Sequence, residues 1–131
     1  MATRASRKAR ARETEKVVAT YLQYVFPDAE VAEAVPLFPE AEAVPSSLSG
    51  KDVLNTPGVA VEVKSRRDLD LQAWLRQAEK NSSKEEIPVV IHRPDGLGVT
   101  RVDEWPVTMR LYEFVLLLRK AGYGSDDPDL G

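Results

Sequence analysis

Apolar positions along the chain change period several times, and each change marks an element. Residues 12–25 carry Val18, Tyr21, Leu22 and Val25 at helical spacing, and Pro27-Asp28 ends the run, which predicts a first helix. Prolines then crowd the stretch 27–51 (Pro27, Pro36, Pro39, Pro45), which forbids a long helix and predicts a wrapping loop with a short strand around 35–38. Residues 51–54 read as a short strand, Asn55-Thr56-Pro57-Gly58 as a turn, and 59–65 as a second strand, together a β-hairpin. In Val59-Ala60-Val61-Glu62-Val63-Lys64 the valines face one way, and Ala60, Glu62 and Lys64 the other.

The second half repeats these patterns. Leu71, Trp74, Leu75 and Ala78 form the stripe of a helix over 70–80, with Asp68 or Asp70 as its cap. The near-continuous apolar run 87–93 predicts a strand buried on both faces. Asp95-Gly96 predicts a tight turn into a partner strand over 97–102. A last helix is expected over 108–121, stopped by Gly122. Its stripe of Leu111, Phe114, Val115 and Leu118 is widened almost all round by Tyr112, Leu116 and Leu117. Such a helix is expected to be covered on more than one side, by its own sheet and by a two-fold partner, which predicts a homodimer. The order of elements implies an α/β fold with a mixed central β-sheet flanked by helices.

Composition narrows the class. At 43% hydrophobic and 30% charged, the 131 residues suit one folded domain rather than a disordered chain. No run approaches a membrane span, and the absence of cysteine excludes disulfides and thiolate metal sites, so a cytoplasmic location is expected. The net charge of −3 does not advertise a nucleic-acid binder, but its distribution is uneven. Residues 1–11 are expected to be a flexible basic arm, 12–122 the domain, and 123–131 an acidic tail with Asp126, Asp127 and Asp129.

The chemistry centres on the polar face of the 59–64 strand. The hairpin sets Asp52 beside Glu62 or Lys64. Glu15 lies on the apolar stripe of the first helix, where a carboxylate needs a partner, whereas Glu13 falls on the opposite side. Two carboxylates, with the Val63 backbone carbonyl as a third oxygen, suit a hard cation such as Mg²⁺, with Mn²⁺ as a substitute. Lys64 would orient or deprotonate a water or stabilise developing charge. Gln77 lies beside Trp74 on the following helix, whose polar side carries Arg76, Lys80 and Lys84. The single histidine, His92, lacks a second ligand at metal spacing and is read as structural. Neither a zinc ligand set, a Gly-x-Ser-x-Gly nucleophile nor a phosphate-binding glycine loop is present.

Gly50-Lys51-Asp52-Val53, Val61-Glu62-Val63-Lys64 and Trp74-Leu75-Arg76-Gln77-Ala78 together resemble the PD-(D/E)xK nuclease superfamily. Within it, the chain is most similar to the small archaeal and phage-type Holliday junction resolvases, over about residues 12–118. The resemblance implies a restriction-endonuclease-like fold and a Mg²⁺-dependent, dimeric enzyme acting on branched DNA. It makes Asp52, Glu62 and Lys64 the catalytic triplet, Glu15 the acid of the first helix and Gln77 the polar residue of the helix after the motif. Arg66, Arg67, Arg76 and Lys80 become the expected DNA contacts. Lys51 stands where the nominal motif has proline, and the acidic net charge departs from the usual basic resolvase. A flap, end or site-specific nuclease, or a non-catalytic nucleic-acid-binding module, are the alternatives.

Overall fold

Among the described residues, three α-helices and five strands follow one another: α1 (Arg4–Gln23), β1 (Glu42–Ala43), β2 (Val53–Leu54), β3 (Val59–Lys64), α2 (Leu71–Lys80), β4 (Ile87–His92), β5 (Val107–Thr108) and α3 (Leu111–Lys120). The computed structural model describes residues 3–24, 36–45 and 50–124. The strands form one mixed sheet in the order β1-β2-β3-β4-β5. β3 and β4 run parallel, joined through α2, while every other neighbouring pair is antiparallel. This is the α/β architecture with flanking helices that the pattern of elements implies.

Alternation on β3 and β4 divides the core in two. Val61, Val63 and Val89 pack with Val18 and Ala19 of α1, Ala41, Val53 and Trp105. Val90 faces the other way and packs with Trp74, Leu75 and Ala78 of α2. Because helices cover both faces, Ala60 and Glu62 are buried as thoroughly as the valines. Each buried valine or leucine stabilises this arrangement by about 1.5–3 kcal/mol. α2 begins at the expected cap, where Asp70 Oδ1 accepts a hydrogen bond from the Ala73 N–H at 3.2 Å. Leu71, expected in its buried stripe, is 38% exposed. The hairpin turn is set by Asn55 at φ 65° and Gly58 at φ 87°, a region where asparagine and glycine are tolerated.

Four expectations are corrected. α1 starts at Arg4 rather than at residue 12, so the basic residues assigned to a separate arm occupy its first turns. Thr3 caps it by accepting from the Ser6 N–H at 3.1 Å, and the alanine, arginine and lysine that follow are strong helix formers even without an apolar stripe. The strand expected around 35–38 is replaced by β1 at Glu42–Ala43; residues 36–38 are irregular, and Val35 lies outside the described residues, as does the acidic tail from 125. The stretch 97–102 pairs with no strand. A 3₁₀ turn spans Val99–Glu104, braced by an ion pair between Arg101 and Glu104, and the partner of β4 is β5. The turn aims Trp105, 5% exposed, into the α1 layer, a larger apolar burial than a strand of alternating valines would supply.

The fourth correction concerns α3. It begins at Leu111 rather than at 108, which belongs to β5, and no residue of it is buried: Leu111, Tyr112, Phe114, Val115, Leu116 and Leu117 are 42–75% exposed. The sheet does not cover it, because Arg110 fixes its start at the rim of α2 by donating to Gln72 Oε1 at 2.7 Å and Glu79 Oε1 at 3.0 Å.

Candidate active site

The site begins with a gap in the sheet. β2 offers β3 only one paired residue, Val53 opposite Val61. The next amide on that edge of β3, the Val63 N–H, donates instead to the Asp52 side chain, at 2.7 Å from Oδ2. A strand residue points its N–H and C=O to the same edge, so the Val63 carbonyl also faces the Asp52 side. The Asp52 backbone is held from both directions: its N–H donates to the Val61 carbonyl at 3.2 Å, and its carbonyl accepts from Val44 at 3.0 Å. Gly50, at φ 108°, turns the chain into this position, and Asn81 at the end of α2 donates to its carbonyl at 3.1 Å. Lys51 is tied to Glu86 by an ion pair. The residue immediately before Asp52 therefore anchors the chain's approach to it.

Glu62 and Lys64 share the opposite face of β3 as their spacing requires. Glu62 is 2% exposed, and its Oε1 lies 3.2 Å from Lys64 Nζ. Lys64 Nζ donates to Gln77 Oε1 at 2.9 Å, so α2 aims the ammonium. The second carboxylate oxygen, Glu62 Oε2, is buried with no hydrogen-bond partner, and the Glu62 carboxyl feels the charge of Asp52. Two carboxylates sharing a dry space cannot both ionise cheaply. Burial first, and then the Asp52 charge, push Glu62 up to about 7 against the pull of Lys64. Burial also raises Asp52, against the Val63 N–H and Lys64. Glu15, half-buried on α1, is raised by burial and by Asp52, while Arg12 and Lys64 oppose this. The structure thus brings Glu62, Lys64 and Gln77 into direct contact, and Asp52 and Glu15 into their electrostatic reach.

The oxygen set fits a Mg²⁺-type ion. Among the described residues, no three Asp, Glu or His side chains converge into a full cage. A hard cation that keeps several waters needs only one or two carboxylates, and the unsatisfied Glu62 Oε2 beside Asp52 is such a pair. A divalent charge there would oppose the burial that raises both groups and the Asp52 charge that further raises Glu62.

The four residues expected to contact DNA are all exposed. Arg66 and Arg67 follow β3 directly, and Arg76 and Lys80 are exposed on α2. His92 is structural, as its isolation predicts: Nε2–H donates to the Arg66 carbonyl at 3.0 Å, and the ring rests 5.2 Å from that of Trp74. Sequence reasoning missed the other side of the strand ends. Thr14 is fully buried on α1, its hydroxyl donating to the Arg10 carbonyl at 2.7 Å and accepting from Arg93 Nη1 at 3.2 Å. Arg93 was readable as a strand-end residue only. Yet alternation puts it on the face of Val89 and Ile91, the α1 side, and that was the available signal.

Comparison of the chain with family models, with curated proteins and with solved structures gives no match.

Proposed function

We propose that the chain is a metal-dependent DNA endonuclease that hydrolyses phosphodiester bonds, acting as a homodimer on branched DNA in the manner of a junction resolvase. The observation that carries this reading is the buried Asp52–Glu62 pair, with an unsatisfied oxygen and an ammonium held at 3.2 Å on the same strand face. A structural ion pair would satisfy its own oxygens; this one leaves a charge problem that a cation solves. The resemblance of the three sequence segments to PD-(D/E)xK nucleases adds to it.

Asp52, Glu62 and the Val63 carbonyl would hold the ion. Bound there, Mg²⁺ or Mn²⁺ supplies charge neutralisation on the scissile phosphate and a water of lowered pKa. Lys64, oriented by Gln77, stands where its ammonium orients the attacking water or stabilises charge on the phosphate oxygens. Glu15, which feels Asp52 and Lys64 from α1, would hold water in the ion's outer shell. Arg66, Arg67, Arg76 and Lys80 contact backbone phosphates around the cleft, positioning the DNA without reading its sequence.

Symmetric cutting of a junction requires two sites, and α3 supplies a reason for the chain to pair. With about 150–200 Å² for a fully exposed large side chain, the six open apolar residues of α3 present on the order of 500 Å². That is most of the ~800 Å² each partner contributes to a standard interface. No helix among the described residues is long and apolar enough to cross a membrane.

The test is incubation of labelled four-way junction, flap and linear duplex with Mg²⁺ or with EDTA. Cleavage of the junction is expected with Mg²⁺ alone, and Lys64→Ala is expected to slow it by about 10²–10³-fold. Cutting that survives EDTA would overturn the mechanism. Equal cutting of all three substrates would overturn junction selectivity, and binding without any cutting would leave a nucleic-acid-binding module.

A further inference from the structure

Beyond the strand ends, on the α1 side of the sheet, three guanidinium groups converge without adequate partners. Arg93 is 8% exposed, and its Nε is buried with no hydrogen-bond acceptor. Its Nη1 reaches Thr14 Oγ1 at 3.2 Å, but the nearest carboxylate oxygen, Glu13 Oε2, is 3.9 Å away. Arg10 Nη2 is likewise buried without an acceptor, and its closest carboxylate oxygen is Asp95 Oδ1 at 3.6 Å. Arg67 Nε lies 3.9 Å from Asp95 Oδ2. Every one of these ion pairs is longer than a hydrogen bond. Three cations here face two carboxylates, Glu13 and Asp95, so one positive charge is left unanswered. Buried donors in that condition are costly, and native structures rarely leave them so without a ligand or water to fill the gap.

The placement is next to the candidate active site. The Arg93 N–H donates to the Lys64 carbonyl at 2.8 Å, so the cluster lies just past the end of β3, on the sheet face opposite the one that carries the Lys64 ammonium. Exposure of the side chains falls from Arg67 (89%) and Asp95 (60%) through Arg10 (35%) to Arg93 (10%), which gives a path inward from solvent. Trp105 closes the inner end, with the Arg93 guanidinium 5.7 Å from its ring centre.

We infer that Arg10, Arg67 and Arg93 form a subsite for one backbone phosphate of the nucleic acid, and that the Asp95 carboxylate stands in for that phosphate in the free protein. The chemistry is that of an oxyanion on forked guanidinium donors, which arginine matches better than lysine does. One phosphodiester neutralises the surplus charge, supplies acceptors for the orphaned donors and displaces Asp95, which swings on the Asp95-Gly96 turn. The subsite would hold a phosphate flanking the scissile one. That assignment of its ligand rests on the nuclease reading, whereas its affinity for phosphate does not.

The test uses the full-length protein in EDTA, labelled with ¹⁵N, with inorganic phosphate as the probe and chloride at matched ionic strength as the control. The Nε–Hε resonances of Arg67 and Arg93 should shift saturably with phosphate. Asp95→Asn should tighten the phosphate dissociation constant by about three- to fivefold, the range an exposed ion pair supports. Arg10→Gln should weaken it by about tenfold, as for loss of a charged hydrogen bond. Shifts that follow ionic strength equally in chloride, or an Asp95→Asn protein with unchanged phosphate affinity, would overturn the inference. Neither result depends on cleavage: a protein that cuts DNA but fails here loses only the subsite. One that binds phosphate saturably but cuts nothing loses only the nuclease.

Discussion

Replacement of Glu62 by glutamine removes a charge from the driest part of the sheet, and its consequence can be worked through. The carboxyl has an ordinary value of 4.5 and is raised to about 7 in the folded chain. Below pH 4.5 it is protonated in both states and contributes nothing. Between pH 4.5 and 7 the unfolded chain releases its proton while the folded chain keeps it, so stability falls as pH rises. Above pH 7 the loss is complete, and at 1.36 kcal/mol per pKa unit it amounts to about 3 kcal/mol. The raised value already contains the pull of Lys64, so no further allowance for the ion pair is needed. Glutamine keeps the shape and carries no proton to lose. Relative to wild type, Glu62→Gln should therefore gain about 2–3 kcal/mol between pH 5 and pH 8, an increase of about 1 M in the urea midpoint. Urea unfolding followed by circular dichroism, in EDTA at several pH values, measures this. Wild-type and variant curves that stay parallel across the range would refute the reasoning, because they would mean that Glu62 is not titrating in a buried pair.

Two further outcomes follow from the packing. Trp105→Ala should destabilise the protein by about 3–5 kcal/mol, since it opens the α1 layer beneath Arg93, and thermal unfolding reads this directly. Charging the open face of α3 with Phe114→Asp and Leu117→Asp should leave the thermal midpoint of the protomer within a few degrees but halve the mass seen by sedimentation. An unchanged mass in the dimer range would remove α3 from the interface.

How far the sequence disclosed all this depends on whether a residue's role is local. Asp52, Glu62, Lys64 and Gln77 lie within one hairpin and the helix after it, where the periods of strand and helix decide which side chains meet. That these four residues belong to neighbouring elements was legible; that Gln77 would receive the Lys64 ammonium was not, because the helical period gives Gln77 only a place beside Trp74. Glu15 was legible because a carboxylate on an apolar stripe is an anomaly with few solutions. The failures were non-local. Arg93 reads only as the end of the buried strand 87–93, and nothing local assigns its guanidinium a role; the arrival of Thr14 and Trp105 from elsewhere encloses it. The β-branched residues Val99, Thr100 and Val102 imitate a strand, and nothing within the segment shows that Trp105 gains more by turning inward. For α3 the apolar pattern was read correctly, but a pattern does not say which surface answers it.

The split core has a practical side. The chain holds two tryptophans, Trp105 in the layer under α1 and Trp74 in the layer under α2, and each is 5% exposed. Their surroundings differ, a guanidinium over one ring and an imidazole against the other. Nature has thus placed one intrinsic fluorophore on either side of the sheet. Single tryptophan-to-phenylalanine versions would let the emission of each layer be followed alone. The order in which the two halves loosen, and whether a bound ion or phosphate tightens one before the other, becomes a spectroscopic question that needs no attached dye.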